Sequence, residues 1–599
     1  MCINNTNFIN KNQIIFKKIV FSFWVLASLS LNVYGQHNYY VAPNGSDRND
    51  GITPDTPWKT LNYAVSRLLP GDTLEIMAGT YYELVNDFVN SGTKDSIITI
   101  RNYDNDHVII NGNGQWTVIN FASKDYYHFE GLELTNAVWA GFNGTNYHHC
   151  RINNCKIHDI GPSSGTAVGI YVSAGGSTLE YSSYNIIENN IIHDCYGEGI
   201  YVGDDAHSAP PDGTPCNYNI IRNNTIYKCV DGIDVKTGSK YNKIIGNDIY
   251  DCNGGIYSGG IIVFEETLID SNKIHNNINY GLFIQGKHNL ITRNLIYDNK
   301  SYGILIDGYQ SKWNNYKDSG DSNQVLNNTV VYNKNWGLYL WGGQNQDCTG
   351  NIIKNNIIAY NKDYQFYASL YDYPQADKEI PFNANNWFSQ SGPIIHYNDT
   401  DYFDIESFKK TTGMGIKSLS VDPQFIDPVN KNFNLKASSP MIDSGIPVNL
   451  PFWGTAPDMG AIEYISLASS KQSSFMINDL YATISVGLPS PTGQKRIIPL
   501  VLITSKKVIK IPTPLILKES DASETYISLE GNIPGQNFSG NFVLDSSIAE
   551  GPAYFYLPDS SLIDTEGNIS NVISEGDSIY IDKTPPASPT NIQLHVKTK

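Results

Sequence analysis

The sequence reads as an all-β chain, a parallel β-helix solenoid followed by a β-sandwich, and two recurring phrases carry the solenoid. The first begins with glycine and a branched aliphatic residue: Gly169-Ile-Tyr-Val-Ser, Gly199-Ile-Tyr-Val-Gly, Gly232-Ile-Asp-Val-Lys, Gly260-Ile-Ile-Val-Phe, Gly281-Leu-Phe-Ile-Gln, Gly303-Ile-Leu-Ile-Asp and Gly337-Leu-Tyr-Leu-Trp. Gly281 follows Gly260 by 21 residues, and Gly303 follows Gly281 by 22. A short alternating strand that returns about every 20 residues marks a solenoid rather than a globular sheet. The second phrase sets an asparagine two residues before an aliphatic one: Asn190, Asn224, Asn247, Asn272, Asn294, Asn328 and Asn356 before Ile192, Ile226, Ile249, Ile274, Ile296, Val330 and Ile358. Stacked at the strand spacing of roughly 4.8 Å, one asparagine per coil forms an interior ladder of amides that satisfies buried backbone at the corners. Parallel crossovers in general lead to the expectation of a right-handed coil.

The chain has 599 residues, room for more than one ordinary domain or for a long solenoid with a companion. A formal charge of −18 offers no basic stripe for phosphates and argues against a nucleic-acid partner. The 12% aromatic content, with 40 tyrosines, suits a surface that stacks on sugar rings and suits a core equally. Lys17 and Lys18 precede the apolar run from Ile19 to Val33, and Gly35 stands before Gln36. That pattern predicts a signal peptide over residues 1–35, and hence a secreted or cell-surface protein with no membrane span in the mature chain. A monomer is expected. Cys195, Cys229 and Cys252 each fall three residues after the aligned Ile192, Ile226 and Ile249. They form one inward column, expected as buried free thiols rather than bridges, and no Cys/His spacing suits zinc.

From Tyr39 the chain runs Tyr-Tyr-Val-Ala-Pro-Asn-Gly-Ser-Asp-Arg-Asn-Asp-Gly, then Thr56-Pro-Trp-Lys-Thr-Leu-Asn-Tyr-Ala-Val-Ser-Arg-Leu, Pro70-Gly-Asp-Thr-Leu-Glu-Ile and Gly79-Thr-Tyr-Tyr-Glu. Thr56 before Pro57 predicts a helix N-cap with proline in the first turn. Over residues 39 to 85 this opening resembles the N-terminal cap and first coil of extracellular parallel β-helix proteins that degrade polysaccharides. Among these are the pectate lyases of polysaccharide lyase family nine and the chondroitinase B and alginate lyase group. Early coils follow to about Ile160. Long insertions at Ala174 to Tyr184, Asp204 to Asn219 and Tyr309 to Asn323 then interrupt the repeat, and such loops shape the binding face of a solenoid.

Three phrases beginning at Val421, Ser439 and Pro457 are similar to the terminal segment of the same proteins and are expected to cover the last apolar layer. The solenoid with its caps is thus bounded at 36–464, and a Ser/Lys/Gln linker is expected at 465–474. Residues 475–599 read as short alternating strands between Pro/Gly/Asn turns, which resembles a bacterial immunoglobulin-like β-sandwich.

In each glycine phrase the first and third residues after glycine are aliphatic, so a period of two sends the second and fourth outward. The first outward column is Tyr171, Tyr201, Asp234, Ile262, Phe283, Leu305 and Tyr339; the second is Ser173, Gly203, Lys236, Phe264, Gln285, Asp307 and Trp341. An exposed strip over seven coils, roughly 30 Å long, would hold several sugar residues, with Tyr171, Tyr201, Phe264, Phe283, Gln285, Tyr339 and Trp341 as its binding residues. Asp204 and Glu265 flank Lys236 one place beyond the second column, while Glu198 and Asp231 share the position before the glycine. Acidic residues thus surround one lysine. A surface salt-bridge network accounts for such a group equally well.

The resemblance to family nine implies that Lys236 is a Brønsted base and that Asp204, Asp205, Asp231 and Asp234 are calcium ligands, calcium being suited to oxygen clusters. The phrase Asp-Asp-Gly-x-Asp of that family is absent here; Asp231-Gly-Ile-Asp234 and the separate Asp204-Asp205 stand in its place. On this reading the protein is a polysaccharide lyase that cleaves an acidic, uronate-containing polysaccharide by β-elimination, with Lys236, Asp234 and Glu265 as catalytic residues. Three alternatives stay open: a C5-epimerase using similar chemistry, a glycoside hydrolase using Asp234 with Glu265 or Asp204, and a non-catalytic adhesin that binds glycans on the aromatic strip. His207 and His275 are expected in a loop and on the surface, without a catalytic role.

Overall fold

The computed structural model describes residues 36–464, apart from 162–166, 174–180, 204–215, 237, 254–258, 309–319, 342–347, 349, 370–381, 449, 451 and 453, and beyond residue 481 the strands of a second unit. The leader expected over 1–35, the linker at 465–474, most of the three insertions, and Asp204, Asp205 and His207 lie outside the described residues.

Each coil is made of three short strands. The coil around the acidic phrase runs Ile220–Arg222, Thr225–Tyr227 and Ile233–Val235, and each strand pairs in parallel with its counterpart one coil on. Repetition builds three long sheets: 13 strands from Asn38–Val41 to Phe382–Asn383, 12 from Gly79–Tyr82 to Asn386–Phe388, and 12 from Thr117–Asn120 to Thr400–Tyr402. The last strand of the third sheet turns back antiparallel against Ile395–Tyr397 and closes that sheet. The chain is therefore an all-β parallel β-helix. Its core is one continuous column in which the first and third residues after each glycine, such as Ile233 and Val235, have no exposure.

Both sequence phrases have a steric or hydrogen-bonding reason. A Cβ on Gly232 would lie 2.4 Å from the Gly260 carbonyl oxygen and 2.4 Å from Ile249 Cγ2. Gly199 and Gly169 meet the same obstacles one and two coils earlier, so the glycine column is what allows the second and third sheets to meet at this corner. In the asparagine column each Nδ2 donates to the next Oδ1: Asn190 to Asn224 at 2.9 Å, Asn224 to Asn247 at 3.0 Å, Asn247 to Asn272 at 2.9 Å, and so on through Asn356 to Asn385. The same Nδ2 also caps a buried carbonyl, as Asn247 does for Ile221 at 3.0 Å.

A second ladder, Asn277 to Asn299 to Asn333 to Asn361, takes over the column that Cys195, Cys229 and Cys252 begin. All seven described cysteines are buried thiols. The column changes from thiol to amide at Asn277, whose Oδ1 accepts the Cys252 amide at 3.1 Å.

The caps differ from the sequence reading in two places. The N-terminal helix is Leu61–Val65 with Thr60, not Thr56, as its N-cap. Trp58 donates to and accepts from the strand beside it, which keeps the chain extended past Pro57, and the Thr56 hydroxyl donates to Asp50 instead. At the other end the last apolar layer is covered by the helix Ile405–Thr412, whose Ile405 and Phe408 join the core. The three terminal phrases run along the flank instead. Phe433 packs on Tyr297 with ring centroids 5.1 Å apart, and Asn327 donates to the Asp458 carbonyl at 3.0 Å.

Contacts divide the chain into one unit of residues 1–448 with 455–463 and another of 449–454 with 464–599. The described strands of the second unit form two five-stranded sheets and a two-stranded one, antiparallel except where Ala482–Val486 pairs with Ile573–Glu575. No helix among the described residues is long and apolar enough to cross a membrane.

Candidate active site

The third sheet carries the glycine phrases, and its outward columns hold in register: Tyr171, Tyr201, Asp234, Ile262, Phe283, Leu305 and Tyr339 pair strand to strand. The strip is not exposed along its length. Ile262, Phe283 and Leu305 are buried and form an apolar cluster with Tyr280, against which Tyr302 and Tyr339 pack. Phe283 is 3% exposed and lies 4.9 Å from Tyr280, so it cannot offer a face to a sugar. Large residues before the glycine in these coils fold over the column, which period-two counting does not register. Tyr171, Tyr201, Phe264, Gln285 and Tyr339 are half-buried and Trp341 is exposed.

The charged group sits where the aromatic column is broken. Glu198, Asp231 and Asp234 bring carboxylate oxygens within 4.8 Å of one another. Glu198 and Asp231 stand before their glycines in adjacent coils, and the Gly199 amide donates to the Asp231 carbonyl at 2.8 Å. The next coil has Gly259 at that position, which leaves room for the Asp231 side chain and donates its amide to Oδ1 at 2.8 Å. Asp234 is buried, and its Oδ2 lies 2.7 Å from Lys236 Nζ. The lysine side chain is 19% exposed and its ammonium lies 5.2 Å from the Tyr201 ring centroid.

Burial first, and then the Asp234 and Glu198 charges, push the Asp231 carboxyl up to about 8, against the opposing Gly259 hydrogen bond and the Lys236 charge. Three carboxylates this close cannot all ionise without a compensating cation.

Glu265 stands apart from this group. Its carboxylate pairs with Lys240 at 3.4 Å, beside Glu266 on the same lysine. His275 lies outward on the second sheet, stacked between Tyr250 and Tyr297 and 3.0 Å from Asp248. The residue that sequence reasoning left out of its ligand set is Glu198, although its signal was present: an acid before the glycine one coil ahead of Asp231. Three hard oxygen donors, two of them buried, fit calcium.

The fold places the chain among the right-handed parallel β-helix proteins. Residues 39–230 match the family described as "Pel9A-like, right handed beta helix region", and residues 214–358 the one described as "Right handed beta helix region". The uncharacterized protein YwoF of Bacillus subtilis (strain 168) is 34% identical over 158 residues, 26% of this chain and 30% of that protein. Pectate lyase L of Dickeya chrysanthemi is 24% identical over 193 residues, 28% of this chain and 43% of the lyase. The chain thus spans less than half the length of these curated relatives. The crystal structure of pectate lyase Pel9A aligns with a TM-score of 0.44 at 18% identity, over 72% of this chain and 97% of that one.

Proposed function

We propose that the protein is a carbohydrate-active enzyme, a polysaccharide lyase that cleaves a uronate-containing polysaccharide by β-elimination at the group Glu198, Asp231, Asp234 and Lys236. The observation that carries this reading is an amine 2.7 Å from a carboxylate cluster on the solenoid face, next to aromatic rings. Elimination needs a base for the proton beside the uronate carboxyl and positive charge to stabilise the carbanion that forms.

Glu198, Asp231 and Asp234 would hold calcium; bound there, it supplies the positive charge that acidifies that C–H bond. Lys236 is the base. Its Nζ takes the C5 proton, the electron pair forms the C4–C5 double bond, and the C4–O bond to the leaving sugar breaks, with a proton from water completing the new hydroxyl. Asp234 sets the state of the amine. That carboxylate, 2.7 Å away, favours the ammonium, and the positive charge of a calcium held by the cluster would offset that field and favour the neutral amine.

Similarity to pectate lyase L over 28% of this chain supports a uronate-containing substrate. The protein is proposed to be secreted, and its 475–599 region to be an immunoglobulin-like sandwich.

The test is product chemistry on anionic and neutral glycans. Ultraviolet absorbance of an unsaturated uronate supports the lyase. Reducing ends without that absorbance reject it for a hydrolase, a reading favoured by one observation: the Asp231 carboxyl is pushed up to about 8 beside Asp234, which pairs with Lys236 at 2.7 Å.

A further inference from the structure

We propose that Trp116, Trp139, Tyr171 and Tyr201 form a binding track for uncharged pyranose rings, running from the acidic group toward the first coils. This rests on the reading of that group as a polysaccharide-cleaving site and names what flanks it. The two tryptophans stand just before the strands Thr117–Asn120 and Ala140–Thr145, outside both columns predicted from the glycine phrases. The Trp139 amide donates to the Trp116 carbonyl at 2.9 Å and Val168 donates to Trp139 at 2.7 Å, so both hold one rung position of the third sheet.

Their rings join the tyrosines without a gap. Trp116 stacks on Trp139 at 5.5 Å and 12°, Trp139 meets Tyr171 at 4.8 Å, Tyr171 meets Tyr201 at 5.4 Å, and Tyr201 lies under Lys236. Trp116 is 57% exposed, an indole that contributes little to the core. Four strand spacings separate it from Asp234, roughly 19 Å, the reach of a short oligosaccharide.

Charge identifies the occupant. The strands Thr117–Asn120, Ala140–Thr145, Val168–Ser173 and Ile200–Val202 contain no Lys, Arg, Asp or Glu. Their polar outward groups include Asn120 and Asn143, joined by a 3.3 Å amide hydrogen bond, which suit sugar hydroxyls. A homopolymer of ionised uronates would lay a carboxylate on each rung of a chain whose net charge is −18, with no cation on these strands to meet it. Aromatic surface instead favours the C–H faces of neutral or carboxyl-esterified sugars. The cleaved uronate is therefore flanked on this side by uncharged residues.

Binding of the full chain to polygalacturonate, and to the same polymer methyl-esterified to graded degrees, tests this by affinity electrophoresis and tryptophan fluorescence. Wild type should bind the esterified polymer more tightly than the fully charged one. Trp116→Ala should weaken binding to the esterified polymer about five- to tenfold, and Trp116→Phe should recover part of it. Equal affinity of Trp116→Ala and wild type for the esterified polymer, or a wild-type preference for the fully charged one, overturns the track. Binding is read without turnover, so a chain that binds in this way and cleaves nothing refutes the cleavage reading alone.

Discussion

Replacing Asp231 with asparagine isolates one buried proton. The folded protein holds that carboxyl at about 8, above all because it is buried and next because Asp234 is close. An unfolded aspartate ionises near 3.9, so between these values the folded state binds one more proton than the unfolded state. The folded value is raised, so the stabilisation is complete below about 4 and is lost as pH rises through about 8. One proton corresponds to about 1.4 kcal/mol per pH unit, or about 3 kcal/mol between pH 5 and pH 7.

Asparagine keeps the shape of the protonated acid and an oxygen for the Gly259 amide, but it does not titrate. In chelator, with other groups common to both proteins, the variant should gain about 1.4 kcal/mol on wild type per pH unit. Hydrogen exchange at Ile233 and Gly259, compared at matched pH, reads this locally, as suits a solenoid whose coils unfold as neighbours. Infrared spectra at pH 7 should contain a protonated-carboxyl band in wild type that the variant lacks. Parallel pH profiles and no such band would refute the reasoning.

Lys236→Arg should abolish turnover while leaving folding intact, because guanidinium stays protonated; full activity on a uronate polymer would remove Lys236 from the mechanism. Chelation should stop turnover and added calcium restore it, with activity rising toward mildly alkaline pH; an enzyme indifferent to chelator has no metal at Glu198, Asp231 and Asp234. Asn247→Leu removes four hydrogen bonds, to Asn272, to the Ile221 carbonyl, and from the Asn224 amide and side chain. At about 1 kcal/mol each, denaturation should report a loss of about 4 kcal/mol, and a loss below 1 kcal/mol would deny the ladder its role. Gly232→Ala should cost about 3 kcal/mol or more, since its Cβ meets backbone oxygen at 2.4 Å; a stable variant would mean the corner can open.

The repeat determined the solenoid because two of its requirements are local and recur once per coil. A glycine is needed where two sheets meet, and an amide where a corner leaves backbone unsatisfied. Period two then fixed which residues face in, and Ile233 and Val235 are as buried as that count demands. The Cys195 column was legible for the same reason. What the count could not reach was contact between residues on different rungs or at positions just outside the phrase.

Tyr280 and Tyr302 cover Phe283, Lys240 draws Glu265 away, and Glu198 joins Asp231 across a coil boundary. Likewise Trp116 and Trp139 precede their strands and are invisible to the phrase, yet Trp116 stacks on Trp139 and the Trp139 ring meets Tyr171. The sequence by itself determined the β-helix, its Asn190 to Asn356 ladder and the coil that carries Asp231, Asp234 and Lys236, since each follows from spacing along the chain. Only the tertiary structure decided which outward side chains are covered, which carboxylates converge and where the last layer is capped, because those depend on how side chains from neighbouring coils fill the same space.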